Sequence, residues 1–249
     1  MKNNDIVFGT RPVLEAINSG KTLEKLFIQK NLKKEILEKI KSKLSNKKIN
    51  ISYVPKEKLN RITKKNHQGI ICYISPISYQ PIEEIIQRVF EKGKDPFVII
   101  LDRITDTRNF GAISRVADAS GVDAIIIPEK ESAIITSDSI KTSAGAINYI
   151  PICKVKSLRS TANFLKESGL KLVSCTEKGD KKFYDADLTS PCCIILGSEK
   201  DGISNSLMDI SDERLNIPMK GNVESLNVSS SASVILFEVV RQRLSLIHI

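Results

Sequence analysis

Four short apolar runs in the second part of the chain constrain its fold more than any other feature. They occupy residues 97–101, 124–127, 170–174 and 192–196. Because these runs are apolar at most positions rather than at every second one, they are typical of parallel strands covered on both faces. Segments with helical spacing separate them. This alternation predicts an α/β domain built on a doubly wound parallel sheet.

The first part of the chain predicts a smaller α/β module. Apolar residues recur at helical spacing over 32–44, and residues 26–28, 49–54 and 69–74 have the composition of strands. Prolines at 76 and 81 mark a boundary, followed by a helical pattern over 82–91. The expected divisions are a first domain over 1–76, a linker over 77–94 and a second domain over 95–249.

Charge is distributed unevenly between these two parts. The whole chain carries a net charge of +9. Residues 1–80 hold 17 Lys and Arg against 6 Asp and Glu, a net +11, whereas the remainder holds 21 against 23, a net −2. A polyanion would be attracted first to the basic part, which favours a nucleic-acid partner. The alternative is that these lysines only keep helix faces solvated.

Several functional classes find no support in the composition. The five cysteines form no C-x-x-C pair and most lie in apolar runs, so we expect reduced thiols in the core of a cytoplasmic protein. No apolar run approaches the ~20 residues of a membrane span, and residues 1–5 lack the apolar core of a signal peptide. No residues have the spacing of metal ligands, and no G-x-G-x-x-G suggests a dinucleotide site.

Three separated stretches combine strand ends with polar, glycine-rich loops. The first is Asp-Thr-Arg-Asn-Phe-Gly over 106–111, followed by Arg115. The second is Leu-Gly-Ser-Glu over 196–199, with Gly202 close behind. The third joins Ile-Pro-Met over 217–219 to Ser-Leu-Asn-Val-Ser over 225–229. Open α/β sheets bind ligands at the carboxyl ends of their strands, which is where such loops would meet.

Simpler interpretations exist for the polar residues taken one at a time. Asn109 begins a predicted helix and could serve only as its N-cap. Ser225 and Asn227 precede another predicted helix, running to about Arg243, and could cap it in the same way. Glu199 could be a solvated loop charge.

Taken together, the three stretches resemble the motifs of the SpoU/TrmH RNA 2'-O-ribose methyltransferases in order, spacing and residues. The resemblance implies a SPOUT fold, in which a deep trefoil knot threads the C-terminal segment. It also implies S-adenosylmethionine (AdoMet) as cofactor and a homodimer with the cofactor sites near its interface. Sequence patterns alone would have excluded a knot, because knots are very rare.

The same resemblance assigns individual residues. The catalytic centre would contain Asn109, Arg115, Glu199, Ser225 and Asn227. The cofactor would be bound by Gly197, Ile217 and Leu226, with no metal. One departure from the family pattern is Thr107-Arg108, which stands where proline and histidine are common before the asparagine.

The expected mechanism lacks the usual neutral-pH base. The two histidines of the chain, His67 and His248, lie outside the three motifs. A guanidinium is a poor proton acceptor, so we expect Arg115 to hold an adjacent phosphate and to stabilise negative charge on the ribose oxygen. The asparagines and Ser225 would orient the nucleophile, with in-line positioning supplying much of the rate.

The first domain narrows the expected substrate. Residues 9–16 and 66–70 resemble the auxiliary RNA-binding domain, related to ribosomal protein L30e, of family members that modify large-subunit rRNA. The sequence therefore predicts AdoMet-dependent methylation of a guanosine ribose in 23S rRNA, with rRNA as partner and no membrane association. The alternatives are a tRNA or another rRNA nucleotide as substrate, or a non-catalytic RNA-binding protein of ribosome assembly.

Overall fold

A computed structural model describes residues 6–19, 21–44 and 49–245 of the chain. The chain divides into two compact units. The first runs to Ser78 and includes Ile134–Ser137; the second contains Tyr79–Ala133 and the chain from Asp138 onward. His248 lies outside the described residues. In the part of the chain that is described, no helix is both long and apolar enough to cross a membrane.

Among the described residues up to Ser78, the first unit contains a four-stranded mixed sheet and three helices. Its elements are β1 (Ile6–Phe8), α1 (Thr10–Asn18), β2 (Leu23–Gln29), α2 (Lys34–Leu44), β3 (Asn50–Val54), α3 (Lys56–Ile62) and β4 (Ile70–Ile74). The strand order is β1-β4-β2-β3, in which β4 runs antiparallel to both neighbours and β2 is parallel to β3. Apolar residues of α1 and α2 pack against Leu26, Ile28 and Ile70 on one face of this sheet.

Two loops of the first unit are joined at one edge. Gln68 has a positive φ of 51°, and its Oε1 accepts a hydrogen bond from the Thr10 backbone N–H (3.0 Å). Buried His67 supports this turn, because its Nδ1 accepts from the Gly69 N–H (3.0 Å). Its Nε2 therefore carries the proton and donates to Asn60 Oδ1 (2.9 Å). The two segments that resemble the auxiliary RNA-binding domain thus lie side by side.

The second unit contains a seven-stranded sheet in which every pairing is parallel. Its strands are β5 (Phe97–Asp102), β6 (Ala124–Pro128), β7 (Ile152–Val155), β8 (Lys171–Cys175), β9 (Lys181–Lys182), β10 (Cys192–Gly197) and β11 (Glu213–Asn216). Its helices are α4 (Ile82–Glu91), α5 (Thr107–Ala119), α6 (Ser137–Thr142, from its second residue), α7 (Leu158–Glu167), α8 (Asn205–Met208) and α9 (Val228–Ser245). The strand order β7-β6-β5-β10-β8-β11-β9 confirms the predicted α/β fold with a parallel sheet.

Helix α4, which lies within the expected linker, packs in the second unit. Ile82, Ile85, Ile86 and Val89 are buried in the same cluster as residues of the central strands. The expected linker over 77–94 was drawn from the prolines around it, which break regular structure but carry no information about packing. A helix with one apolar face is stabilised by burying that face, here against the sheet.

The cysteines are free and mostly buried. Cys72, Cys153, Cys192 and Cys193 are buried, and Cys175 is half-buried. Burial raises the pKa of every one of these thiols, because a thiolate loses its hydration inside the protein. They are therefore unreactive residues of the apolar core.

Candidate active site

The three motifs meet at the carboxyl edge of the second sheet. Strands β5 and β10 are neighbours, and Gly197 at the end of β10 pairs with Asp102 at the end of β5. After β5 the chain crosses toward β6, whereas after β10 it crosses toward β11 on the other side. This is the point at which the strand order reverses, and such points form ligand-binding crevices in open α/β sheets.

Asp106, rather than Asn109, caps helix α5. The Asp106 carboxylate accepts hydrogen bonds from the backbone N–H groups of Arg108 (2.8 Å) and Asn109 (2.9 Å). The suggestion that Asn109 serves only as an N-cap is therefore wrong. Because the Asp106 carboxylate occupies the cap position, Asn109 lies in the first helical turn and its side chain does not cap the helix.

Asn227 both caps helix α9 and contacts the other motifs. Its Oδ1 accepts from the Ser229 backbone N–H (2.9 Å) and hydroxyl (2.6 Å). These bonds fix the orientation of the amide, so its Nδ2 faces away from the helix. That Nδ2 donates to Asn109 Oδ1 (3.2 Å) and to Glu199 Oε1. Capping therefore explains the contacts of Asn227 Oδ1 but not those of its Nδ2.

Glu199 is the common partner of the two asparagines. Asn109 Nδ2 donates to Glu199 Oε1 (3.2 Å), the same oxygen that accepts from Asn227. The three side chains come from positions 90 and 28 residues apart, and we call them the Asn–Glu–Asn cluster. Two helix N-termini, which favour nearby negative charge, lie beside this carboxylate. Glu199 is exposed, but it is a partner in a network and not a solvated loop charge.

A tight turn presents Glu199 to the cluster. Ser198 and Gly202 exchange backbone hydrogen bonds of 3.2 and 2.9 Å. Gly197 approaches this turn so closely that a Cβ at position 197 would lie 2.1 Å from the Gly202 carbonyl carbon. Only glycine allows that approach.

Arg103 connects this turn to the end of β5. It adopts a left-handed conformation with φ of 58°. Its guanidinium donates to Asp102 Oδ1 (3.3 Å) and to the Gly202 carbonyl (3.1 Å). Asp102 in turn accepts from the Ser204 N–H (2.6 Å) through Oδ2. The contacts to the Gly202 carbonyl and to the Ser204 N–H therefore hold the end of β5 against the turn after β10.

A cleft of about 330 Å³ opens next to the cluster. All three residues expected to bind the cofactor line it, namely Gly197, Ile217 and Leu226. Glu199 and Ser225 also line it. Because Glu199 belongs to both the cleft and the Asn–Glu–Asn cluster, a ligand in the cleft would lie directly beside the two asparagines.

Arg115 and Ser225 are less closely tied to the other predicted residues. Arg115 is an exposed residue of α5, and its side chain has no hydrogen bond or ion pair with the described part of the chain. Ser225 is exposed at the cleft wall, two residues before α9. The structure thus brings Asn109, Glu199 and Asn227 into contact, whereas Arg115 faces solvent on one of the helices that carry the cluster.

Several residues of this site lie outside the three sequence motifs. The cleft is also lined by Cys175 at the end of β8 and by Thr176, Glu177 and Lys178 directly after it. Their position at the carboxyl end of a strand adjacent to β10 was the available signal, but no motif singled them out. The roles of Asp106 and Arg103 depend on local backbone geometry and could not be read from spacing.

Comparison with known proteins assigns the family. A parallel sheet with polar loops and a cleft at its carboxyl edge defines an α/β domain of the kind many enzymes use. Residues 96–237 match the SpoU rRNA methylase family, and residues 6–80 match the RNA 2'-O ribose methyltransferase substrate-binding domain. The chain belongs to the SpoU/TrmH family of RNA methyltransferases, within the SPOUT superfamily.

Individual relatives agree with this assignment over nearly the full length. A Staphylococcus saprophyticus protein assigned to the TrmH family of tRNA/rRNA methyltransferases is 37% identical over 238 residues, covering 96% of each chain. The SpoU methyltransferase AviRb from Streptomyces viridochromogenes, whose structure was solved with AdoMet, is 27% identical with a TM-score of 0.62. That match covers 96% of this chain and 90% of AviRb. The A. aeolicus TrmH/SpoU tRNA modifying enzyme is 29% identical with a TM-score of 0.56, covering 66% of this chain and 85% of its own.

Proposed function

We propose that this protein transfers a methyl group from AdoMet to the 2'-hydroxyl of a guanosine ribose in 23S rRNA. The observation that carries the proposal is the Asn–Glu–Asn cluster at the wall of the cleft. It joins one residue from each of the three motifs at a place where a cofactor and an RNA ribose can meet.

The cleft has the chemistry that AdoMet requires. Its apolar walls include Leu196, Ile203 and Ile217, which suit the adenine ring. The carboxylates of Glu177, Glu199 and Glu224 line the same space and are complementary to the positive ammonium and sulfonium groups. The close backbone approach at Gly197 leaves peptide groups available for hydrogen bonding. The residues present therefore fit the cofactor.

Positioning is the main contribution of the protein to the proposed reaction. The bound cofactor supplies an electrophilic methyl group. Glu199 Oε1 receives both asparagine amides, whereas its Oε2 has no hydrogen bond with the described residues. Oε2 is therefore available to accept a hydrogen bond from a ribose hydroxyl and to align its oxygen with the methyl group. Arg115 would hold a neighbouring phosphate and stabilise negative charge developing on the ribose oxygen.

The choice of 23S rRNA rests on the first unit. Its net charge of +11 over residues 1–80 and its match to a substrate-binding domain support a large structured RNA as substrate. The relatives named above act on, or are assigned to, both tRNA and rRNA. tRNA is therefore the second candidate substrate for the same chemistry.

We expect the purified full-length protein to bind AdoMet in the presence of chelator with a dissociation constant near micromolar, roughly −8 kcal/mol. With labelled AdoMet, it should label in vitro transcribed 23S rRNA, and digestion should release 2'-O-methylguanosine. Calorimetry measures the first result and nucleoside analysis the second.

Matched transcripts provide the control for substrate identity. Labelling of tRNA but not 23S rRNA would transfer the same chemistry to the second candidate substrate. A folded protein that binds no AdoMet would refute the enzyme proposal and favour the non-catalytic alternative. Where rRNA is labelled, mapping of 2'-O-methyl groups in rRNA from a deletion strain would identify the target nucleotide.

We further propose that the protein is a homodimer that uses helix α9. Phe237 and Leu244 are 48% and 53% exposed, and they are two helical turns apart on the same face of α9. Large exposed apolar side chains at this spacing are typical of an interface. Helix α5, which carries Arg115, packs against α9. Arg115 would then lie close to the dimer interface.

A charge on this face should separate the protomers. We expect Phe237→Glu to convert a dimer of twice 27.7 kDa into a monomer at micromolar concentration, as measured by light scattering. Tyr149→Glu is the matched control, because Tyr149 is 81% exposed and lies outside this face. A monomeric parent, or equal dissociation in both variants, would contradict the proposed interface.

Three further elements of the proposal follow the family resemblance. The trefoil knot is kept as a proposal because the chain belongs to the SpoU family, which the resemblance places among SPOUT folds. The division into an RNA-binding domain over 1–76, a linker and a catalytic domain over 95–249 is kept as a functional division. A cytoplasmic location is kept because the cysteines are unpaired.

A further inference from the structure

One face of the first sheet carries aromatic rings covered by lysine side chains. Phe8 on β1, Phe27 on β2 and Tyr73 on β4 belong to one cluster on this face, opposite the one covered by α1 and α2. The Lys25 and Lys58 ammonium groups both lie over the Phe27 ring, at 5.1 and 5.6 Å from its centroid. A third lysine, Lys65, lies 5.8 Å from the centroid of Phe8. We call this surface the lysine–aromatic face.

The face is only partly covered by the protein. Helix α3 contributes Leu59 and Ile62 to its apolar cluster. Toward β1 and the start of β2, Ile6, Phe8 and Tyr73 remain half-buried and reach solvent. Tyr73 lies opposite Lys25 on the neighbouring strand and packs edge-to-face against Phe27, with ring centroids 6.1 Å apart. Aromatic surface and positive charge are therefore adjacent.

The three ammonium groups have no carboxylate partner within the described residues. None of the ion pairs there includes Lys25, Lys58 or Lys65. Two like charges over a single ring repel each other, and cation–π attraction of about 0.5–1 kcal/mol each at exposed sites offsets this only in part. An anion in contact with either ammonium group would offset this repulsion, so the charge of this face is complementary to a phosphate.

We propose that the lysine–aromatic face binds single-stranded RNA. Lys25, Lys58 and Lys65 contact backbone phosphates, and the exposed part of Tyr73 stacks with a base. Proteins that hold single strands combine these two features, a positive surface for the backbone and aromatic rings for the bases. The proposal deepens the proposed function and rests on it, since it locates a contact between the first unit and the RNA substrate.

The position of the lysine–aromatic face on the sheet favours RNA over an acidic protein segment as its ligand. Phe8 directly precedes Gly9, and Lys65 is three residues from Gln68, so the face borders the pair of loops joined by the Thr10–Gln68 hydrogen bond. These loops belong to the part that matches a substrate-binding domain. Aromatic rings next to the lysines add a contact that nucleic-acid bases use and a carboxylate does not.

The test removes three charges from this face and three from elsewhere in the same unit. In the face variant, Lys25→Gln, Lys58→Gln and Lys65→Gln keep much of the apolar stems that cover the rings. In the control variant, Lys39→Gln, Lys41→Gln and Lys43→Gln remove the same charge from α2, which covers the opposite side of the sheet. Thermal unfolding checks that both full-length variants are folded.

Binding of a labelled single-stranded RNA is measured by anisotropy between about 50 and 300 mM salt. We expect the face variant to lose at least tenfold in affinity at 100 mM salt, and the control less than threefold. The slope of log affinity against log salt should become shallower by about 2 in the face variant, since each single-strand phosphate contact contributes about 0.7. Tyr73→Leu alone should weaken binding several-fold while leaving the salt slope unchanged.

Equal losses in the face and control variants would overturn the proposal, because only total charge would then matter. Tighter binding of polyglutamate than of RNA would also overturn it, in favour of an acidic protein partner. The assay contains no AdoMet, so its outcome is separable from the proposed function. If the face variant loses RNA binding but the parent protein methylates no RNA, the enzyme proposal alone is refuted. If the face variant binds RNA as tightly as the parent and still methylates RNA, only the proposed role of the lysine–aromatic face is refuted.

Discussion

Gly197→Ala should abolish AdoMet binding. The added Cβ would lie 2.1 Å from the Gly202 carbonyl carbon and 2.3 Å from both its oxygen and the Ile203 nitrogen. These are backbone atoms, which cannot rotate away as a flexible side chain can. The turn over 198–202 would have to move, and it lines the cleft and carries Glu199. We expect at least a hundredfold loss of AdoMet affinity in calorimetry.

Gly93→Ala serves as the control for this substitution. Unlike Gly197, Gly93 has a positive φ of 66°, and a Cβ there would meet no atom within 4 Å. It follows α4 and lies outside the site. Backbone strain of about 1–2 kcal/mol should lower its stability without changing AdoMet affinity. Wild-type AdoMet binding by Gly197→Ala would refute the assigned cleft.

Arg115→Ala is expected to slow methyl transfer on the order of a hundredfold or more, as for loss of a preorganised donor. Arg115→Lys should keep measurable activity, because positive charge is retained although the planar fork is lost. AdoMet affinity should change little in either variant, since Arg115 does not line the cleft. Single-turnover methyl transfer and calorimetry measure these two effects separately.

Exposed Arg159 on α7 is the matched arginine outside the site, and Arg159→Ala should leave the rate near that of the parent. If the Lys and Ala variants of Arg115 were equally inactive, the role would require the guanidinium itself. Full activity of Arg115→Ala would remove this residue from the catalytic centre.

Strong local patterns were enough to predict most of the fold. The apolar runs became β5, β6, β8 and β10, and the pattern over 82–91 became α4. Ser157, a residue type favoured at helix N-caps, caps α7 and accepts a hydrogen bond from the Ser160 N–H (3.2 Å). By contrast, β11 was not predicted, because its sequence Glu-Arg-Leu-Asn contains a single apolar residue, Leu215. It is a strand because β8 and β9 provide backbone partners on both sides.

The sequence by itself determined the α/β class, the basic first part and the three motifs with their order. Each depends on residue type and spacing, which are local properties. Only the tertiary structure decided which motif residues touch. Asn109 is 118 residues from Asn227, and they meet because β5 and β10 pair while α5 packs against α9. The tertiary structure also left Arg115 facing solvent. Contacts between distant segments follow from sheet order, which local spacing does not encode.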